Sequence, residues 1–98
     1  MANMKKAIVI HPKDNVASLL SDVKRNDIVH VSLGEESFEI KVREPVHFGH
    51  KFSLREIPKG EHVIKYGEVI GFATKDIEKG CHVHVQNVES YRGRGDRA

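Results

Sequence analysis

Apolar residues fall along this chain in short alternating runs, separated by glycine, proline and asparagine. Residues 5–10 are rich in β-branched side chains and predict a buried strand. His11-Pro12 ends it, because proline cannot extend a central ladder. Val16, Leu19, Leu20 and Val23 then follow at helical spacing and predict a short amphipathic helix over residues 15–23. Asp14 or Asn15 would cap it, and backbone N–H groups near His11 and Asp14 would offer an anion site. Residues 28–33 alternate as a strand, and residues 37–43 answer with Phe38, Ile40 and Val42 on one face, which predicts a hairpin. Residues 44–50 read as an irregular loop. Further strands are expected at 51–57, from Val63, at 69–74 and at 82–85, with Tyr66-Gly67 as an interruption.

The stretch from Gly49 to Asn87 contains a repeat. Residues 55–63 (REIPKGEHV) and 75–83 (KDIEKGCHV) align position by position, and a degraded copy lies at 22–31 (DVKRNDIVHV). Each has a buried aliphatic (Val23, Ile57, Ile77), two intervening residues, and then Asn26, Gly60 or Gly80, types that tolerate positive φ. A short alternating run follows, so each copy reads as a tight turn that launches a strand. The copies are few and irregularly spaced, which points to a compact pseudo-symmetric β fold rather than a solenoid.

At 98 residues the chain supports one domain with a modest core. Hydrophobic residues at 39% and charged residues at 31% fit a globular rather than a disordered chain. A formal net charge of +2, with the two signs interspersed, gives no reason to expect nucleic acid. The single cysteine, Cys81, excludes an intrachain disulfide and reads as a small apolar residue beside a turn. The apolar run near the start is only residues 7–10, too short for a secretory leader or a membrane span. The expectation is a cytoplasmic protein with no membrane association. The domain is expected to end near residue 88. Residues 89–98 (ESYRGRGDRA) carry too little apolar material for core and read as a flexible tail or connector.

Three clusters could carry chemistry. His82 and His84, two apart on an expected strand, point to one face and could chelate a metal, or could be two ordinary histidines on a solvent-facing edge. His50 is the first candidate for a third ligand, and Asn87 could add an oxygen ligand or a supporting hydrogen bond. Gly49-His50-Lys51 sets an acid–base residue and a cation after a glycine; it is either a catalytic pair or a charged surface loop. Lys65-Tyr66-Gly67 could aim a cation and a phenol at a ligand, although a core tyrosine at a β-bulge explains Tyr66 more simply. His30, His47 and His62 belong to no constellation. No nucleophile triad, phosphate-binding loop or paired-cysteine motif is present. The residues themselves thus indicate a small β-rich subunit or binding module with a histidine-bearing face.

The run from His11-Pro12-Lys13-Asp14-Asn15-Val16 through Gly49-His50-Lys51, Ile57-Pro58-Lys59-Gly60, Val63-Ile64-Lys65-Tyr66-Gly67, Ile70-Gly71 and His82-Val83-His84 resembles the SAF domain of the altronate/galactarate dehydratase family. The resemblance implies a mainly β fold of the β-clip (SAF, antifreeze-like) type. It also implies the small subunit of a metal-dependent hydro-lyase that dehydrates sugar acids together with a separate large catalytic subunit. In that reading His50 and Lys51 are catalytic, Lys65 and Tyr66 bind substrate, and His82 and His84 hold a divalent metal, Fe(II) or Mn(II), shared with the large subunit. A homo-oligomer is also compatible. The same motifs resemble the alpha subunit of (2R)-sulfolactate sulfo-lyase, and a non-catalytic carbohydrate-binding SAF module is a third possibility. Close relatives read His-Val-His-Asn, whereas here Gln86 intervenes before Asn87.

Overall fold

The computed structural model describes residues 5–90. Nine strands are formed: β1 (Lys5–Ile8), β2 (Val16–Leu19), β3 (Ile28–Leu33), β4 (Glu36–Lys41), β5 (Lys51–Ser53), β6 (His62–Lys65), β7 (Glu68–Ala73), β8 (His82–Val83) and β9 (Val88–Ser90). They build a six-stranded sheet in the order β4-β3-β1-β2-β5-β8 and a three-stranded sheet in the order β6-β7-β9. β1 and β3 run parallel, and every other pair is antiparallel. The architecture is mainly β, of the β-clip type. Among the described residues no helix is long and apolar enough to cross a membrane.

The helix expected over residues 15–23 does not form. Val16–Leu19 is instead the central strand β2, hydrogen-bonded to β1 and β5. Its two faces are both buried: Ala17 and Leu19 join one core with Val29, Val31 and Phe52, while Val16 joins a second with Ile57, Val63, Ile77 and Val83. A strand buried on both sides reads as a continuous apolar run, and its periodicity cannot then be told from that of a short helix. Val23 lies beyond the strand and makes an isolated bridge to Val46.

Asp14 and Asn15 are therefore not helix caps. Asn15 is 1% exposed, and its side chain is fully used against the second sheet. Nδ2 donates to the His62 carbonyl at 2.9 Å, and Oδ1 accepts from the Ile64 N–H at 2.8 Å. Its own N–H donates to the Ile64 carbonyl and its carbonyl accepts from the Leu54 N–H. Asp14 accepts from the N–H groups of His11 and Gly67, which ties the β6–β7 hairpin tip to the loop before β2.

The repeat is realised as four turns, not three. In each, a carbonyl accepts from the N–H three residues on: Lys24 from Asp27, His47 from His50, Pro58 from Glu61, and Glu78 from Cys81. The third residue has positive φ, at Asn26 (75°), Gly49 (85°), Gly60 (90°) and Gly80 (88°), which is the type II arrangement. The fourth copy occupies residues 44–52, across the irregular loop expected at 44–50 and the start of the strand expected after it. Its signature, Val46-x-x-Gly49, matches Val23-x-x-Asn26, Ile57-x-x-Gly60 and Ile77-x-x-Gly80. The four aliphatics pair as isolated bridges, Val23 with Val46 and Ile57 with Ile77.

The expected connector begins inside the fold, since Glu89 and Ser90 pair with Phe72 and Gly71 as part of β9. Its remainder, residues 91–98, lies outside the described residues.

Replacing Asn15 by Ala would remove its side-chain bonds to the Ile64 N–H and the His62 carbonyl at the joint between the sheets. A loss of about 1–3 kcal/mol is expected. Urea unfolding of Asn15→Ala checks it; a loss under about 0.5 kcal/mol, the scale of an ordinary surface substitution, would show that the joint is dispensable.

Candidate metal centre

Three histidines converge at the β8 edge of the large sheet. β5 and β8 are antiparallel, with Lys51 opposite Val83 and Phe52 opposite His82. Continuing that register sets His50 opposite His84, and alternation sets His82 on the same face. The ring pairs stack accordingly, with centroids 4.4 Å apart for His50–His84, 5.1 Å for His50–His82 and 5.4 Å for His82–His84. One nitrogen from each ring lies within 4.8 Å of the others. Glu44 lies beside this group, but its carboxylate accepts from the His82 N–H at 2.8 Å.

Backbone bonds fix each histidine. His50 follows the Gly49 turn, which is bound to Leu19 through both Gly49 N–H and the His50 carbonyl. Asn87 is 7% exposed and braces the other two. Its Oδ1 accepts from the His84 N–H at 2.9 Å, and its Nδ2 donates to the His82 carbonyl at 2.8 Å. Asn87 thus acts through hydrogen bonds, its oxygen being occupied by backbone. Gln86 Nε2 lies 3.3 Å from His82 Nδ1, on the far side of that ring.

The donor set fits a divalent transition metal. His50 Nδ1 and His82 Nε2 are 3.0 Å apart, and two nitrogens sharing a tetrahedral ion at ~2.05 Å sit about 3.3 Å apart. Two ring nitrogens so close require one proton or one cation between them. Three neutral imidazoles suit iron, zinc, copper or nickel and leave coordination positions open for substrate or outside ligands. Burial first, and then the neighbouring rings of His50 and His84, pushes His82 below the ordinary histidine value. Slight burial, His50 and Lys51 do the same to His84. Both rings are thereby biased toward the neutral, metal-binding form.

Lys51 and His50, adjacent in sequence, point to opposite faces of β5. Lys51 lies toward Lys65 and Tyr66 and is also near enough to His84 to disfavour its charge. Burial, and then the Lys65 charge, lowers its ammonium pKa, which Tyr66 partly offsets. Lys51 and His84 share one cleft of about 240 Å³, walled by Val63, Val83 and Val88. Tyr66 is not a core residue. It is 59% exposed, sits at the β6–β7 hairpin tip with φ 58°, and carries Lys65 Nζ 3.7 Å over its ring. The bulge lies earlier, between Val63 and Ile64.

A two-sheet β domain with histidines at one sheet edge defines a class of small SAF-type modules, and sequence comparison specifies the family. The chain belongs to the altronate/galactarate dehydratase SAF domain family, whose model matches residues 5–91. It is 43% identical over 83 residues to the altronate dehydratase of Escherichia coli K12, covering 85% of this chain and 16% of that protein. It is 36% identical over 87 residues to the altronate dehydratase of Bacillus subtilis 168, covering 89% and 17%. The chain therefore spans only about a sixth of the length of these relatives. A (2R)-sulfolactate sulfo-lyase subunit alpha from Paracoccus pantotrophus is 36% identical over 62 residues, covering 63% of this chain and 92% of that subunit.

The lowered pKa values of His82 and His84 carry a sign for stability. In the unfolded chain both bind protons below pH 6.5, whereas in the fold they bind them only at lower pH. The stabilisation they give is complete above pH 6.5 and is lost as pH falls through their folded values. Urea midpoints without metal should decline from pH 7 to pH 5. The decline should be shallower in His82→Asn and His84→Asn; parallel curves for wild type and both variants would refute it.

Proposed function

We propose that this chain is the small subunit of a metal-dependent sugar-acid dehydratase of the altronate or galactarate type, acting with a separate large catalytic subunit. The observation that carries the reading is the convergence of His50, His82 and His84 on one point, in a domain of the dehydratase family. The separate large subunit is supported by the match to nearly the whole of a protein named as a subunit. Exposed apolar residues Ile8, Ile10, Leu20 and Tyr66 provide surface that such a partner could cover.

The reaction is a β-elimination. The proton leaves the carbon α to the carboxylate, the hydroxyl leaves the β carbon, and the resulting enol becomes the 2-keto-3-deoxy acid with release of water. A divalent ion, Fe(II) or Mn(II), would stabilise the negative charge that develops on the carboxylate side and assist departure of the hydroxyl. In this reading His82 and His84 hold the ion. His50, on the same face and opposite His84, is positioned to ligate as well or to carry a proton to or from the substrate. Lys51 presents a partly desolvated ammonium in the cleft it shares with His84. A substrate carboxylate there would gain more from the ion pair than it could in open water. Lys65 and Tyr66, on the neighbouring hairpin tip, would meet the polar remainder of the sugar acid.

The match to subunit alpha of (2R)-sulfolactate sulfo-lyase favours a second reading, in which the same site serves elimination of sulfite from sulfolactate. Both substrates are 2-hydroxy or polyhydroxy acids with a leaving group β to the carboxylate, so the chemistry required of this chain is shared.

Co-purification with a large dehydratase chain encoded beside it, followed by assays on altronate, galactarate and sulfolactate with added Fe(II), tests both. Keto-acid formation that needs both chains is expected; sulfite release would assign the sulfo-lyase reading, and sugar binding by this chain alone, with no turnover, would leave a binding module. Within the active complex His50→Ala is expected to lower turnover by about 100-fold or more, the scale of a lost general acid–base group, with the melting temperature unchanged. A fully active His50→Ala complex would remove His50 from the mechanism. His82→Ala and His84→Ala should each weaken Co(II) binding, followed by its visible absorption, by at least about tenfold.

A further inference from the structure

A second cluster of charge lies away from the histidines. Arg25, Lys41, Arg43 and Lys79 line a polar cleft of about 510 Å³ together with Asn26 and Glu39. Two of these cations occupy the same position in two copies of the repeated turn. Arg25 precedes Asn26 and Lys79 precedes Gly80, the residues with positive φ. Both turns are bound to one backbone segment between them. Asn26 N–H donates to the Val42 carbonyl at 2.9 Å, Val42 N–H donates to the Asp27 carbonyl at 3.0 Å, and Arg43 N–H donates to the Gly80 carbonyl at 2.9 Å. Gly80 approaches so closely that a Cβ there would stand 2.6 Å from the Lys41 carbonyl oxygen. Lys41 and Arg43, two apart on that segment, add their cations between the turns.

The arrangement costs electrostatic repulsion that folding alone does not require. Arg43 Nε pairs with Glu78 at 3.0 Å. Glu39 lies 3.5 Å from His30 on the neighbouring strand. Arg25, Lys41 and Lys79 make no ion pair among the described residues. Four cations thus face two carboxylates, a surplus of two positive charges on a backbone pinned by hydrogen bonds from two sides. Guanidinium and ammonium groups held this way match the oxygens of a carboxylate or phosphate, and a concave wall strengthens their summed field.

We propose that this cleft is a binding site for a small dianion, a dicarboxylate or a phosphate, separate from the histidine cluster. The inference is independent of the dehydratase reading, because it needs neither the metal nor a partner chain. Its functional consequence is a second anion subsite on this SAF domain, suited to sensing or retaining an acidic metabolite.

The test is an amide-resolved NMR titration of the full 98-residue chain with inorganic phosphate and with malonate, against sodium chloride at matched ionic strength. Saturable shifts at residues 25–27, 41–43 and 79–81 are expected with at least one of the two dianions. Saturation by phosphate alone identifies a phosphate site, and by malonate alone a dicarboxylate site. The double variant Arg25→Gln/Lys79→Gln, altered only at exposed turn positions, should weaken binding about tenfold or more while its spectrum outside the cleft stays unchanged. Equal shifts with chloride, shifts that never saturate, shifts centred on residues 50, 82 and 84, or undiminished binding by the double variant would each overturn the proposal. So would binding of an acidic peptide or nucleic acid with no response to either small dianion.

Discussion

One buried side chain, at the start of β2, hydrogen-bonds the large sheet to the edge of the small one. Asn15 places a donor and an acceptor against the edge of β6 and uses its backbone groups on β6 and on the segment after β5. An amide buried this deeply is tolerable only when every polar atom is paired. That requirement fixes the position of the β6–β7 hairpin over the large sheet. Val16, the next residue, then packs into the core between the sheets with Val63 and Val83. The hairpin tip in turn carries Lys65 and Tyr66 toward Lys51 of β5, so the placement of these two candidate binding residues depends on the Asn15 joint.

The repeated turn does comparable work elsewhere in the fold. A type II turn requires positive φ at its third residue, and asparagine or glycine meets that need at all four copies. Each turn delivers the next strand, or strand-like segment, in a defined direction. His50 closes the turn of the second copy and His82 stands two residues past Gly80 in the fourth, so two copies of the turn deliver the histidine cluster. Arg25 and Lys79 precede the critical residue in the first and fourth copies. One local device therefore organises both the histidine edge and the cationic cleft.

The histidine edge also shows how the environment prepares a ligand set. Burial and mutual proximity disfavour charge on His82 and His84, while Asn87 holds their backbones at fixed spacing. With two rings biased toward the neutral form and one nitrogen from each of the three rings close together, the cluster offers a donor set that suits a divalent transition metal.

Much of this was legible in the sequence. The turn signature needs only an aliphatic and a residue able to take positive φ, both local requirements, so three copies could be read directly. The copy at residues 44–52 was hidden because Val46 is preceded by proline, whereas its counterparts follow an acidic residue, Asp22, Glu56 or Asp76. The His82/His84 pair was legible because a strand's period of two is a backbone property. What sequence could not decide was anything set by burial on two faces or by contacts between distant segments. Val16–Leu19 imitates a helix because both faces of β2 are covered. Asn15 looks like a cap because its partners, His62 and Ile64, lie about fifty residues away. Lys51 looks like the partner of His50, and only the pleat sends them to opposite sides. Local chemistry determined the turns and the ligand types; the tertiary structure decided which of them meet, because hydrogen-bond satisfaction and packing between the sheets are properties of the whole chain.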